Sequence, residues 1–206
     1  MKVLLINSSP NENGSTFTAL SEIEKVLNSN NIETEIIQTK KDAIRDCTGC
    51  RACRKLSKCV YDDDMVNEII EKAKECDGFV FGTPVYYAHP SGRILSLLDR
   101  LFYAGAQNFA YKPACAVASA RRAGTTASLD VLNKYFLINN MPVVPSSYWN
   151  MVHGNKSDET KQDLEGLHTM RTLGYNMVWM LKAFELAKNN DILPQKEEKI
   201  WTNFIR

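Results

Sequence analysis

The fold of this chain is decided by its first sixteen residues, MKVLLINSSPNENGST, residues 1–16. Residues 2–7 form an apolar run of strand length, which predicts a buried β-strand. The polar residues after it lead into residues 15–28, where Phe17, Leu20, Ile23 and Leu27 recur at helical spacing. A buried strand that passes through a polar loop into a helix is typical of the first unit of an α/β sheet.

The same alternation of short apolar runs and helical periods continues along the chain. Further strands are predicted at residues 34–39, 78–83, 114–120 and 141–144, and further helices at residues 62–76, 91–102, 125–138 and 160–188. Because strands that alternate with helices form parallel sheets with right-handed crossovers, we expect an α/β three-layer sandwich. Its five-stranded parallel sheet would have the order 2-1-3-4-5. One domain is predicted over residues 1–190, with a cysteine loop at 42–60 inserted and residues 191–206 as a C-terminal tail.

Composition narrows the classes of partner and compartment. The chain has 206 residues, 44% of them hydrophobic, and a formal net charge of +1. So small a charge argues against nucleic acid or a membrane surface as a partner. The apolar start is too short for a signal peptide, so the cytoplasm is the expected location. Thiols stay reduced there, and clustered cysteines then indicate a metal or redox site rather than disulfides.

Four cysteines lie within thirteen residues. Cys47, Cys50, Cys53 and Cys59 are separated by two, two and five residues. Thiolates are ligands for iron–sulfur clusters and for zinc, and compact runs of this kind hold [4Fe–4S] clusters. Zinc sites more often use two cysteine pairs with a longer stretch between them. A [4Fe–4S] cluster, free thiols and zinc all remain open at this point.

Three loops follow predicted strands and would meet at one edge of the sheet, where ligands bind in this architecture. Residues 7–16 combine hydroxyls, amides and a helix start, which suits an anion such as a phosphate. They match neither a Walker A sequence nor a GxGxxG fingerprint. Residues 82–92 contain two prolines and the aromatic pair Tyr86 and Tyr87, which would form a stiff ledge for a planar ring.

The third loop, residues 119–126, has small side chains together with Arg121 and Arg122. Its positive charge would stabilise an anionic, reduced flavin or attract the phosphate of a nicotinamide nucleotide. Alternatively, either arginine is solvated or pairs with Asp130.

Together the loops resemble the NADPH-dependent FMN reductase superfamily of flavodoxin-like proteins. The matching segments are residues 7–10 with 13–16, residues 82–86, and Leu98-Asp99-Arg100. With the cysteines included, the chain is most similar to the iron–sulfur flavoprotein branch of that superfamily.

The resemblance implies a set of site residues. The FMN phosphate would be held by Ser9, Asn11, Asn13, Ser15 and Thr16, and the ring by Pro84, Val85, Tyr86 and Tyr87. The loop over residues 119–125 would close the other side of the ring, through Ser119, Arg121, Gly124 and Thr125. Arg121, Arg122 and Tyr86 would support catalysis, by charge and by ring contact. A [4Fe–4S] cluster would be held by Cys47, Cys50, Cys53 and Cys59.

The resemblance also implies an activity. The chain would be an FMN-dependent oxidoreductase that takes electrons from NAD(P)H and passes them to a small acceptor, directly or through the cluster. A quinone, a nitro or azo compound, or a flavin would be the acceptor. Two alternatives are a one-electron carrier, whose partner is a redox protein, and a non-catalytic module with structural zinc. A homodimer or homotetramer is expected in each case.

Overall fold

The structure, a computed structural model, describes residues 1–39, 43–202 and 204. Its strands are β1 (Lys2–Asn7), β2 (Glu33–Gln38), β3 (Gly78–Tyr86), β4 (His89–Pro90), β5 (Ala114–Ala120) and β6 (Met151–His153). The order across the parallel sheet is β2-β1-β3-β5-β6, and the two-residue β4 pairs antiparallel with the end of β3. With β4 set aside, this is the predicted 2-1-3-4-5 order.

The predicted position of the fifth strand, residues 141–144, was wrong. That stretch contributes one isolated bridge, between Val143 and Ala114. Pro142 and Pro145 flank Val143 and Val144, and a proline has no N–H to donate to a ladder. The fifth parallel strand is instead β6, which pairs with the far half of β5 from Ala118 onwards. The loop after β6 therefore reaches the same edge of the sheet as the three loops singled out from the sequence.

Seven α-helices are present in the described residues. They are α1 (Ser15–Ser29), α2 (Cys53–Leu56), α3 (Val66–Glu75), α4 (Gly92–Gly105), α5 (Thr125–Ile138), α6 (Ser157–Thr160) and α7 (Leu164–Asn189). The helix α2 lies inside the predicted cysteine loop, whose residue 42 is outside the described residues. None of the described helices has both the length and the apolar character that crossing a membrane requires.

Helices pack on both faces of the sheet, and each face has its own hydrophobic cluster. Side chains of β1 alternate between them: Val3 and Leu5 pack with α1 and α7, whereas Leu4 and Ile6 pack with α3, α4 and α5. This period-two alternation along a strand is what buries both faces of a parallel sheet. The result is the expected three-layer sandwich.

Two helices begin later than the sequence pattern predicted, and an aspartate accepts a hydrogen bond from the first turn of each. Asp64 accepts a hydrogen bond from the backbone N–H of Val66 at 3.1 Å, at the start of α3. Asp163 accepts one from the backbone N–H of Gly166 at 2.9 Å and caps α7. An aspartate at this position satisfies a helix N–H that has no partner within the helix. The division into residues 1–190 and a tail at 191–206 stays a prediction.

Candidate functional site

A cavity of about 1070 Å³ lies at the carboxyl end of the sheet. It is bordered by the loops that follow β1, β3, β5 and β6. The predicted site residues that line it are Ser9, Asn11, Asn13, Ser15, Thr16, Pro84, Val85, Tyr86, Ser119 and Arg121. The structure therefore brings together residues that are more than one hundred positions apart in the chain.

The loop after β1 is held in place from the sheet side. The amide oxygen of Asn7 accepts from the backbone N–H of Ser9 at 3.1 Å, and its amide nitrogen donates to Gln38 at 2.5 Å. Gln38 in turn donates to the backbone oxygen of Ser9 at 2.5 Å. The Ser9 hydroxyl then accepts from the backbone N–H of Asn11 at 3.1 Å. These bonds fix the loop through its buried half, so residues 11–14 line the cavity in a defined position.

The start of α1 has the features of an anion site. The helix begins at Ser15 after Gly14, no side chain caps it, and its first turn contains no acidic residue. The first N–H groups of a helix lack partners within the helix, and the helix dipole makes this end positive. An FMN phosphate fits such a terminus and needs no lysine there.

Two hydroxyls meet beneath this terminus. Thr16 and Ser119 are both buried, and their hydroxyl oxygens lie 2.7 Å apart. One hydroxyl donates to the other, so a single hydrogen remains to be donated elsewhere. The contact ties α1 to the end of β5.

The loop after β3 forms a tight hairpin. Tyr86 pairs with His89, and the two residues between them, Tyr87 and Ala88, have φ angles of 51° and 57°. Two left-handed residues in succession make a turn that usually contains glycine or asparagine. Tyr86 is half exposed and lines the cavity, whereas Tyr87 is fully exposed and is not among the lining residues.

The loop after β5 packs directly on this hairpin. Gly124 has a φ of +93°, and a Cβ added there would lie 2.4 Å from the Cα of Ala88. Only glycine allows the two backbones to approach this closely. Gly124 therefore determines how the 119–125 loop sits against the predicted ring-binding ledge, although it does not line the cavity itself.

The two predicted arginines differ in position. Arg121 lines the cavity, and Arg122 does not. The backbone oxygen of Arg122 lies 3.1 Å from Nε2 of His153. Thr125, also outside the lining, is buried and donates to the sulfur of Met151 at 3.1 Å. Among the described residues, neither arginine forms an ion pair with Asp130.

Sequence reasoning missed one wall of the cavity. It is formed by Gly154, Asn155, Lys156, Ser157 and Asp158, in the loop after β6. The misplaced fifth strand put these residues outside the sheet edge. The signal that marks them is a short apolar run at Met151 and Val152, followed by glycine and by a serine–aspartate pair typical of a helix start.

The four clustered cysteines line a second cavity, of about 520 Å³. All four are free thiols. Within residues 1–39, 43–202 and 204, no three His, Cys, Asp or Glu side chains are grouped as ligands of one metal ion. A [4Fe–4S] cluster binds one cysteine per iron, so its ligands surround a space rather than a point. Four thiols around one cavity fit that requirement.

Arg100 forms part of the wall of this cavity. Its guanidinium forms an ion pair with Asp64, and its Nε donates to the sulfur of Cys59 at 3.2 Å. Burial alone lowers the pKa of Arg100, but the hydrogen bonds with Asp64 and Cys59 outweigh it and raise the pKa above its ordinary value. Arg100 is therefore a permanently charged group beside a thiol.

Comparisons with known proteins agree with this geometry. Residues 1–156 match the family described as NADPH-dependent FMN reductase. The chain is 32% identical, over 193 residues, to an iron–sulfur flavoprotein of Methanocaldococcus jannaschii. The aligned region covers 90% of this chain and 100% of that protein. It is 27% identical, over 196 residues, to an iron–sulfur flavoprotein of Methanosarcina thermophila, with 93% and 100% covered.

The fold is also similar to that of a solved archaeal flavodoxin. The TM-score is 0.61 at 15% sequence identity, with 88% of this chain and 99% of the flavodoxin covered. An identity this low supports the fold alone, and the predicted flavodoxin-like class is confirmed.

Proposed function

The chain belongs to the NADPH-dependent FMN reductase family, and we propose that it is an FMN-dependent oxidoreductase. In this proposal it takes electrons from NAD(P)H and passes them to a small acceptor, directly or through a [4Fe–4S] cluster. The observation that carries the proposal is one cavity bordered by an uncapped helix start, an apolar aromatic ledge and a cation. The helix start suits the phosphate of a flavin mononucleotide, the ledge suits its ring, and the cation suits negative charge on the reduced ring.

The chain itself would bind and orient the cofactor. The N-terminal N–H groups of α1 and the polar side chains of Asn11, Asn13 and Ser15 would hold the phosphate. Pro84, Val85, Tyr86 and Ser119 would hold the ring. Bound FMN would supply the hydride chemistry, because its N5 atom accepts a hydride from a nicotinamide. No acid or base from the protein is needed for that transfer.

Arg121 is the side chain we assign to electrostatic support. It is the arginine among the residues that line the cavity. A fixed positive charge there would stabilise negative charge on the reduced ring. Contact of Tyr87, Gly124 and Thr125 with the ring, and a catalytic role for Arg122, remain predictions.

We assign the cysteine cavity to a [4Fe–4S] cluster held by Cys47, Cys50, Cys53 and Cys59. Four free thiols around one cavity support this assignment, as do relatives described as iron–sulfur flavoproteins. The same observation favours a second candidate function, a one-electron carrier whose partner is a redox protein. A homodimer or homotetramer and a cytoplasmic location belong to both proposals.

Anaerobic purification tests the proposal and separates the two candidates. FMN, iron, sulfide and zinc are assayed per chain, and NAD(P)H is then added without oxygen. We expect one FMN per chain and bleaching of the flavin bands by NAD(P)H. Bound FMN that dithionite bleaches but NAD(P)H does not would favour the one-electron carrier. Zinc in place of iron, or failure to bind FMN, would contradict the proposal.

A matched pair of variants tests the assignment of Arg121. Arg121→Gln should slow bleaching of bound FMN by NAD(P)H about tenfold or more. Lys134→Gln removes the same charge from an exposed position on α5 that does not line the cavity, and bleaching should stay at the wild-type rate. Equal rates for Arg121→Gln and the wild type would refute the assignment.

A further inference from the structure

Arg100 is a buried arginine whose hydrogen bonds lead to a cysteine. Its side chain is 1% exposed, which is rare for arginine. One Nη1 partner is the carboxylate of Asp64, itself 6% exposed, and another is the backbone oxygen of Arg45 at 3.3 Å. The Nη2 group donates to the backbone oxygen of Tyr61 at 3.2 Å. The remaining nitrogen, Nε, donates to the sulfur of Cys59 at 3.2 Å.

Cys59 is also fixed through its backbone. The amide oxygen of Asn67 accepts from the N–H of Cys59 at 2.8 Å, and the amide nitrogen donates to the Cys59 oxygen at 3.0 Å. Asn67 is buried on α3, and Arg100 is buried on α4. Two helices therefore hold the peptide and the sulfur of this one cysteine. Cys50, by contrast, is exposed.

The ion pair with Asp64 does not by itself explain the geometry. Nη1 meets the carboxylate, while Nε is on the other edge of the guanidinium. A sulfur that accepts an N–H hydrogen bond and lies beside a positive charge carries negative charge more easily. For a thiolate-ligated cluster, hydrogen bonds to the sulfurs and nearby positive charge raise the reduction potential, whereas nearby negative charge lowers it.

We propose that Arg100 is a positioning residue that orients the Cys59 sulfur toward the cysteine cavity and raises the reduction potential of the cluster held there. This inference rests on the [4Fe–4S] cluster in the proposed function. The reduction is a one-electron step: reduced FMN or added dithionite gives up one electron, and the cluster takes it. No bond to a cysteine breaks, and no proton is required. The thiolate-ligated centre becomes more negative by one charge, which the Arg100 guanidinium stabilises.

Asp64 acts in the opposite direction, and this allows a test with two signs. Asp64→Asn keeps the size of the side chain and keeps Arg100 beside Cys59, but removes a negative charge. The double variant Asp64→Asn/Arg100→Gln then removes the guanidinium without leaving an unpaired buried carboxylate. Arg45→Gln is the matched control, because it removes an arginine charge from the same cysteine loop. Arg45 is exposed and pairs with Asp63.

The measurement is the midpoint potential of the cluster in each holoprotein, from a dithionite titration followed by electron paramagnetic resonance. Iron and sulfide per chain are assayed alongside. Relative to Asp64→Asn, the double variant should be about tenfold harder to reduce, which is about 59 mV more negative for one electron. Asp64→Asn alone should be more positive than the wild type, and Arg45→Gln should be unchanged.

The outcomes separate this inference from the proposed function. Iron and sulfide in the wild type, with equal potentials in Asp64→Asn and the double variant, would overturn the inference alone. A wild-type protein that holds no iron and sulfide after anaerobic reconstitution would overturn the cluster and the inference together. If the double variant keeps its circular dichroism but loses iron, the positioning role is supported. The midpoint potential of Asp64→Asn then tests the effect of charge on the cluster. A potential no more positive than that of the wild type overturns the proposal that Arg100 raises it.

Discussion

Gly82→Ala should loosen the phosphate loop from the sheet. Gly82 lies on β3 between β1 and β5, and its backbone oxygen accepts from both the N–H and the hydroxyl of Ser8. A Cβ added at Gly82 would lie 2.8 Å from Cγ2 of Thr16 and 3.0 Å from Cδ1 of Leu20. Leu20 is fully buried, and its Cδ2 would lie 3.2 Å from the same Cβ. Thr16 is held in place because its hydroxyl is bonded to Ser119.

The size of the effect follows from these contacts. Overpacking a filled site costs about 1–3 kcal/mol. Replacing glycine by alanine in an extended strand recovers about 0.4–1 kcal/mol from the unfolded chain. We therefore expect Gly82→Ala to lower the free energy of unfolding by about 1–2 kcal/mol. The helix α1 should yield rather than β3, which is paired on both sides. Its displacement should raise the FMN dissociation constant about tenfold, or about 1.4 kcal/mol.

A double-mutant cycle locates the clash. Thr16→Ser removes the methyl group that the new Cβ would meet and costs about 1 kcal/mol on its own. In the double variant Gly82→Ala/Thr16→Ser, the loss in free energy of unfolding should be about 1 kcal/mol smaller than the sum of the two single losses. Urea unfolding measures stability, and quenching of flavin fluorescence measures FMN binding. Gly92→Ala is the control, since nothing lies within 4 Å of a Cβ added there.

Three results would refute this reasoning. Gly82→Ala could be as stable as the wild type, or its cost could simply add to that of Thr16→Ser. Gly92→Ala could also prove as damaging as Gly82→Ala. Either of the first two results would mean that α1 does not rest on β3 at this point, and the third would mean that the loss in Gly82→Ala is not specific to this contact.

Three further predictions concern other parts of the molecule. Gly124→Ala should lower the free energy of unfolding by about 2 kcal/mol or more, because its φ is +93° and the new Cβ would meet backbone; an unchanged urea midpoint would contradict this. Burial raises the pKa of Glu22, but hydrogen bonds such as that from Arg171 outweigh it and leave the pKa below its ordinary 4.5. The Glu22 carboxylate thus stabilises the fold above pH 4.5, and this stabilisation is lost as the pH falls through its lowered pKa. On acidification the Tm of Glu22→Gln should therefore fall less steeply than the Tm of the wild type. Cys50→Ser should reduce iron per chain after reconstitution, whereas Cys76→Ala, in the core, should retain it, and equal iron in both would count against the cysteine site.

The first unit of the fold could be predicted because its pattern is local. The apolar run of β1 and the helical period of α1 identify both elements, and the polar residues between them mark the phosphate loop. Ser15, Tyr86 and Arg121 then line the same cavity because the carboxyl ends of parallel strands meet at one edge. The fifth strand could not be located in this way. Residues 141–144 are as apolar as a strand, but two prolines in and beside this stretch limit its pairing with β5. The far half of β5, from Ala118, is therefore paired with β6, and this depends on the tertiary structure.

The sequence alone determined three features. They are the alternation of strands and helices along the chain, the spacing of the four cysteines, and the polar loops at strand ends. Each is a relation between residues a few positions apart. The tertiary structure decided which loops share the cavity, and it added the wall at 154–158. It also decided that the Arg100 guanidinium meets the sulfur of Cys59, 41 positions away in the chain. Such a contact depends on how α4 packs beside the cysteine loop, and local periodicity does not contain that information.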